Sequence, residues 1–262
     1  MKQKLKALIW PIIYLVLILN VCLSFVLVFR SYYFKSIFVS GTSMQPTLNG
    51  HEDGRVDYGI IDDHKTALSN LKRFQIVTTY YPFENDYVGG YDPAKGKDNV
   101  IDTDQSSYKI KRVYGFPGET IKFTYDEAEI ERIKTIPGYE TSFEAQYLAA
   151  EAIHFFVKGP KDEEFVEQPL KFKRKLNINR AHEYDYEYEL GKEEYWVMGD
   201  NYSHSQDCHS KQKPIYKDNL VGVLIAIEGT CTIPSKYRTE DSDGTKRSYT
   251  CVNRKRHAPV FY

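Results

Sequence analysis

The 262-residue sequence predicts a mainly β fold, in which an N-terminal transmembrane helix precedes an antiparallel β domain carrying a variable α+β cap insertion. Three observations carry that prediction. Residues 7–29 hold no charged side chain in 23 consecutive positions. Beyond them the apolar runs are short, rich in Val, Ile, Tyr and Phe, and bounded by Gly, Pro and Asn, as half-buried strands are. Between positions 123 and 190 that pattern lapses, and acids outnumber bases 15 to 9.

Composition removes several function classes. With 35 Lys+Arg against 36 Asp+Glu, the net charge of −1 lacks the basic excess of a dedicated nucleic-acid binder. A hydrophobic share of 42% is too high for a disordered chain. Four cysteines without a CxxC pair make neither a disulfide scaffold nor a zinc ribbon.

The first element is the run Ala7–Phe29. As a helix it would be roughly 35 Å long, enough for a ~30 Å hydrocarbon core. It is longer than the apolar region of a signal peptide. The next residues, Phe29-Arg30-Ser31-Tyr32-Tyr33-Phe34, also offer no small-residue cleavage site, so the segment reads as an uncleaved anchor. Lys2, Lys4 and Lys6 precede it, and Arg30 and Lys35 come after it. That bias places residues 1–6 in the cytoplasm, 7–29 in the bilayer and 30–262 outside the plasma membrane. Trp10 and the Tyr32-Tyr33-Phe34 cluster suit the two interfaces.

Strands are then expected at Ser36–Val39, Phe74–Tyr81, Tyr108–Tyr114, Thr120–Tyr125, Glu194–Met198 and Leu220–Ile227. They form a core over 30–122 and 191–230. Residues 123–190 read as a cap insertion, with one helix allowed over Ser142–Phe156. The basic segment 231–262 closes the chain. Its part Gly244–Tyr262 has five Lys/Arg and no acid, and reads as a solvated tail or as a segment drawn to anionic lipid headgroups.

Three clusters carry chemistry: Ser40-Gly41-Thr42-Ser43-Met44-Gln45-Pro46-Thr47-Leu48, then Tyr108–Glu119 (YKIKRVYGFPGE), then Met198–His209 (MGDNYSHSQDCH). Singly they read as a Gly/Pro turn, a solvated strand face and a polar loop. In this order behind an anchor they resemble the bacterial type I signal peptidases, which are membrane-anchored serine endopeptidases with a Ser–Lys dyad. The resemblance rests on Ser-Met-x-Pro-Thr-Leu, Lys-Arg-x-x-Gly-x-Pro-Gly, Gly-Asp-Asn-…-Ser-x-Asp and the strand Asn219-Leu220-Val221-Gly222. Arg73-Phe74-Gln75 stands where the family usually has Arg-Gly-Asp. Residues 123–190 are not covered.

The resemblance implies both a fold and a mechanism. The fold is the signal-peptidase/LexA-like antiparallel β domain. Ser43 is the nucleophile and Lys111 the general base, chosen over Lys109 because Lys111 directly precedes Arg-x-x-Gly-x-Pro-Gly. A serine hydroxyl needs a base to take its proton. A lysine can do so only when neutral, so burial must lower its pKa from the usual value of about 10.4. The backbone N–H of Ser43, with that of Gly41, would hold the oxyanion. Ser205 would hydrogen-bond and orient the lysine, and Asp200 and Asp207 are structural carboxylates. Cys208-His209 replaces the Ser-Arg found in many members, which removes or weakens an Asp207–arginine pair.

Substrate would add a strand along Ile37–Gly41 and Lys109–Lys111. Ile37, Val39, Met44, Leu48 and Ile110 would form shallow pockets that admit only small side chains. Signal peptides of exported pre-proteins are the implied substrates, with membrane lipid and the secretion translocon as neighbours and no cofactor or nucleic acid. His204, Cys208 and His209 lack a fourth ligand for zinc, so no metal is expected. Cys22 is an apolar filler in the span. Cys231 and Cys251, on an oxidising side, form a disulfide or remain two buried thiols. A soluble Ser–Lys repressor would lack the anchor. The non-hydrolytic alternative, an inactive or substrate-dedicated assembly factor such as one for pili, is disfavoured by the presence of both Ser43 and Lys111.

Overall fold

A computed structural model describes residues 2–39, 41–51, 54–80, 108–232 and 251–262. The uncharged run forms helix α1 (Lys2–Tyr33), within which Ile9–Arg30 is long and apolar enough to cross a membrane. None of that span is buried against protein, as expected of a helix that is apolar all round. Its last turn is fixed to the body. The Arg30 guanidinium donates to both Glu228 carboxylate oxygens at 2.7 and 2.6 Å, and the Tyr33 ring stacks on His64 at 4.7 Å.

The chain then passes directly into β1 (Phe34–Phe38), after which come β2 (Val56–Asp62), the short helix α2 (Lys65–Ser69), β3 (Ile76–Tyr80), β4 (Tyr108–Gly115) and β5 (Thr120–Tyr125). Next come α3 (Glu127–Lys134), α4 (Phe143–Glu151), β6 (Ile153–Lys158), β7 (Val166–Glu167), β8 (Tyr186–Glu189) and β9 (Glu194–Met198). The last elements are α5 (Cys208–Lys211), β10 (Ile215–Tyr216), β11 (Leu220–Thr232) and β12 (Val252–Phe261). One antiparallel sheet runs β1-β2-β11-β3-β4-β9-β10, with β12 also paired to β11. A second runs β7-β6-β5-β8. β11 is long enough to take β3 and then β12 along one edge while β2 occupies the other, since Val223 faces both Val77 and Asp62, and Ile227 both Val260 and Gly59.

Several expectations need correction. β2 was not expected. Its sequence VDYGIID lies among His and Asp residues whose charges hide the period-two pattern, yet Asp57 is buried there with its hydrogen bonds met. The helix expected to reach Phe156 stops at Glu151, capped at its start by the Ser142 hydroxyl. Ile153–Lys158 alternates buried and half-buried and is a strand, as its β-branched and aromatic residues favour. β5 crosses the expected boundary at residues 122 and 123 and is central in the second sheet. Nor is the basic end simply a solvated tail: residues 252–261 form β12. Met1, Ser40, Tyr81 and residues 233–250 of that segment lie outside the described residues.

The cap and the first sheet share one core. Val113 and Tyr114 of β4 join Trp196 of β9, Ile121 and Phe123 of β5, Phe155 of β6 and Ala149 of α4 in a single buried cluster. Phe123 and Phe155 lie 4.7 Å apart, and Phe155 meets Tyr114 edge-on at 5.2 Å. Aromatic pairs in these orientations add to the stabilisation from burial alone. A smaller cluster of Val39, Met44, Leu48, Ile61, Ile76, Leu224 and Ile227 sits under the Ser43 turn.

Candidate active site

The Ser43 turn is closed on itself before it meets anything else. Asn49 takes a left-handed backbone (φ 56°), a conformation Asn tolerates better than most residues. Its amide donates to the carbonyls of Val39 at 2.5 Å and Gly41 at 3.0 Å. Asn49 N–H donates to the Asp57 carboxylate at 2.7 Å, and Asp57 N–H donates back to the Asn49 amide oxygen at 2.6 Å. The turn is therefore locked to β2. Met44 and Leu48 drive into the small cluster below, which leaves Ser43 half-buried at the rim.

Lys111 comes from β4, where it pairs with Val77. Its side chain is 1% exposed. Nζ lies 2.8 Å from Ser43 Oγ and donates to the Ile110 carbonyl at 3.1 Å. The next residue, Arg112, serves the scaffold. Its guanidinium donates to both Asp200 oxygens at 2.8 and 2.6 Å and to the Phe74 carbonyl at 2.7 Å, and it stacks over Phe172 at 4.0 Å. Burial opposes the Arg112 charge, but the hydrogen bond and charge of Asp200 outweigh it, so its pKa is raised. The Thr47 hydroxyl donates to the same carboxylate at 2.5 Å, which ties the Ser43 turn to β4 through Asp200.

The third cluster completes the frame. Asn201 N–H donates to the Ser43 carbonyl at 2.9 Å, and its amide donates to the Thr42 carbonyl at 3.0 Å. Gly199 lies so close that an added Cβ would overlap the Ser43 carbonyl oxygen and the Ser205 hydroxyl. Gly199 N–H donates to Asp207 at 2.9 Å. Asp207 also caps α5 by accepting from Ser210 N–H at 3.2 Å. Its carboxylate is thus occupied by backbone donors. No described residue accepts from the N–H of Gly41 or Ser43.

The remaining expected residues divide. The Ser205 hydroxyl is buried beside Gly199 with no hydrogen-bond partner among the described residues, so the expected bond to Lys111 is not made. The Lys111 amine is directed instead at Ser43 and the Ile110 carbonyl. Of the five pocket candidates, Ile37 and Ile110 are half-buried at the edge, whereas Val39, Met44 and Leu48 belong to the core. His204 is exposed. Cys208 is buried against β9, its sulfur accepting from Val197 N–H at 3.3 Å, and burial pushes its pKa up. His209 stacks on Tyr184 at 3.9 Å, and burial lowers its pKa. Among the described residues no three His, Cys, Asp or Glu side chains are grouped to hold a metal. Cys231 and Cys251 are joined as a disulfide with Cα atoms 5.7 Å apart.

Sequence reasoning missed Arg112, Gly199 and Asn201 as framework residues, although each lies inside a recognised motif. It also missed the Asn49–Asp57 lock, for which no motif spacing gives a signal. A further tie comes from the cap: Lys175 Nζ donates to the Gln45 side chain at 3.1 Å, and burial lowers the Lys175 pKa.

A comparison with curated proteins finds no match. A family model described as signal peptidase, peptidase S26, matches residues 12–227, from inside α1 to the middle of β11 and through all three clusters. The chain therefore belongs to the signal peptidase family, peptidase S26.

Proposed function

We propose that this protein is a membrane-anchored serine endopeptidase that removes N-terminal signal peptides from exported pre-proteins, with Ser43 as nucleophile and Lys111 as general base. The observation that carries the reading is the 2.8 Å approach of a fully buried lysine amine to a serine hydroxyl at the rim of a braced turn. A base must be the neutral amine, and burial in general disfavours the ammonium. Neutral Nζ takes the hydroxyl proton as Ser43 Oγ attacks the scissile carbonyl carbon. The N–H groups of Ser43 and Gly41 face no other acceptor among the described residues, which leaves them for the developing oxyanion. Lys111 then returns the proton to the leaving amine, and water releases the acyl group from Ser43 by the same route in reverse.

Substrate would lie extended beside residues 37–41 and 109–111, with Ile37 and Ile110 limiting side-chain size. α1 would hold the enzyme in the cytoplasmic membrane with residues 1–6 inside and the β domain outside. Enzyme and substrate would then share one bilayer, which raises their effective concentration. The test is acylation by a mechanism-based serine reagent, mapped by mass spectrometry, beside cleavage of a signal-peptide substrate. The expected adduct is on Ser43, and both adduct and cleavage are absent in Ser43→Ala. Undiminished cleavage by Ser43→Ala would overturn the assignment.

A further inference from the structure

The two N–H groups left for the oxyanion are braced by different means. The Ser43 N–H shares a planar peptide with the Thr42 carbonyl, so whatever holds that carbonyl aims the N–H the opposite way. The Asn201 amide and the Gln45 N–H hold it, donating to the Thr42 oxygen at 3.0 and 3.1 Å. Gly41 has no side chain to brace it, and a Cβ added there would meet nothing within 4 Å. Glycine is the residue with the widest backbone freedom, so the direction of its N–H must be set from outside. Along the chain the Gly41 N–H lies between the carbonyls of Val39 and Gly41. Both accept from one group, the Asn49 amide, at 2.5 and 3.0 Å.

Asn49 has little freedom of its own. It stands one residue beyond the Ser-Met-x-Pro-Thr-Leu motif and is 6% exposed. Its amide oxygen and its N–H are both bound to Asp57, which is itself buried in β2. His51 Nε2 lies 2.6 Å from the other Asp57 oxygen. The Asn49 carbonyl accepts from the Gln45 amide at 2.6 Å, and the Gln45 amide oxygen accepts from Lys175 of the cap. Every polar group of Asn49 is therefore engaged, and its amide presents its two protons in a fixed direction.

We infer that Asn49 is a positioning residue for the oxyanion hole: clamped by Asp57, its amide sets the direction of the Gly41 N–H, while Asn201 sets that of Ser43. The inference rests on the proposed roles of Ser43 and Gly41. Asn49 touches neither the substrate nor the reacting atoms. Its loss should weigh on the charged transition state far more than on substrate binding.

The experiment uses the full chain carrying Asn49→Gly. Glycine accepts the left-handed backbone at position 49 and keeps the main-chain bonds to Asp57 and Gln45, so only the side chain is lost. Two quantities are compared with wild type: kcat and KM on a signal-peptide substrate, and the inhibition constant of a peptide aldehyde. With the aldehyde, Ser43 Oγ bonds the carbonyl carbon, the C=O electron pair moves onto oxygen and the hydroxyl proton passes to Lys111. That adduct mimics the oxyanion. In Asn49→Gly, kcat should fall about 100-fold and the aldehyde should bind about 100-fold more weakly, with KM changed less than about threefold. A single melting transition of the β domain shows that the variant is folded. If it is not, Asn49→Asp, which keeps the acceptor for Asp57 N–H and loses the donor when ionised, should give the same pattern. Unchanged kcat, a loss confined to KM, or a kcat loss that the aldehyde constant does not follow overturns the inference. With Ser43→Ala inactive, those results remove the role of Asn49 alone. Undiminished cleavage by Ser43→Ala sinks the nucleophile assignment and the inference together.

Discussion

At the scale of single residues, the strongest expectations concern the Ser43–Lys111 contact. Nucleophile and base act as a unit, so Ser43→Ala and Lys111→Ala should each remove essentially all cleavage, and the double variant should be no worse than either. Lys109→Ala should be mild, since Lys109 is two residues away and only half-buried. Activity should rise with pH as the buried amine loses its proton. His209 should not set that acid limb, because its ring is stacked on Tyr184 and packed against Tyr186 in the core. A kcat/KM profile from about pH 5 to 10 for wild type and His209→Phe checks this, and an acid limb that vanishes in the variant would indicate a histidine base. His209 should instead report in stability. Its folded pKa is depressed by burial, so the unfolded chain takes up the proton first as pH falls below about 6.5. Wild type should therefore lose stability on acidification through that window, relative to His209→Phe, and the two should run parallel above it. Denaturant melts at two pH values measure the difference. That Ser43 and Lys111 belong together was legible through the resemblance of their motifs to the family's, and the two side chains do meet. Phe74 was not: where the family usually has glycine, this chain holds a phenylalanine at φ 67°. That backbone is costly for a bulky residue, and the Phe74 ring packs against Tyr114 and Phe172 at 5.6 and 5.4 Å. Such compensation comes from distant segments that no local pattern reveals.

At the scale of elements, the three motifs act through the strands and turns that carry them. Asp200 receives Arg112 from β4 and Thr47 from the Ser43 turn, and Asn201 beside it holds the Ser43 carbonyl. Asp200→Ala would leave Arg112 buried without its partner, so it should destabilise by about 3–5 kcal/mol and reduce activity through a displaced Ser43 turn. Gly199→Ala should lower kcat more than it raises KM, because the new methyl group presses on Ser43 itself. Its steady-state parameters on a signal-peptide substrate test that split. Of the twelve strands among the described residues, six were readable from short apolar, β-rich runs. β2 and β6 are among the six that were not, because charges mask the period in one and a helix-like lead-in masks the start of the other. The disulfide belongs to this scale too. It joins the end of β11 to the start of β12 across 20 positions, so Cys251→Ala should cost about 3 kcal/mol by the loop-entropy estimate. Loss of protection confined to β12 in hydrogen exchange is the expected signature. Free, alkylatable thiols in freshly isolated membranes would show that the bond does not form in the cell.

At the scale of the whole molecule, the cap shares one core with the first sheet. Tyr114 and Val113 of β4, the strand that carries Lys111, are buried with Phe123, Phe155 and Ala149 of the cap in one cluster. A composition shift at position 123 suggested a cap insertion. Composition reports what faces solvent, however, and cannot show that the buried face of the same segment completes a neighbour's core. Phe155→Ala, far from the turn, should therefore cost about 3–5 kcal/mol and lower the melting temperature of the whole β domain in one transition. Two separate transitions would mean that the cap folds alone. The same unity shapes the topology prediction. α1 joins β1 without a linker, and Arg30 and Tyr33 clamp it to β11 and the start of α2, so with α1 across a bilayer, as proposed, the β domain would sit against the membrane on the side where α1 ends. In the proposed topology the excess of lysine before the span would put that side outside. Protease added to intact spheroplasts should then cut within residues 30–262 while a tag on the N-terminus stays protected. Full protection of the β domain until lysis would reverse the orientation, and with it the proposal that the enzyme meets its substrates after export.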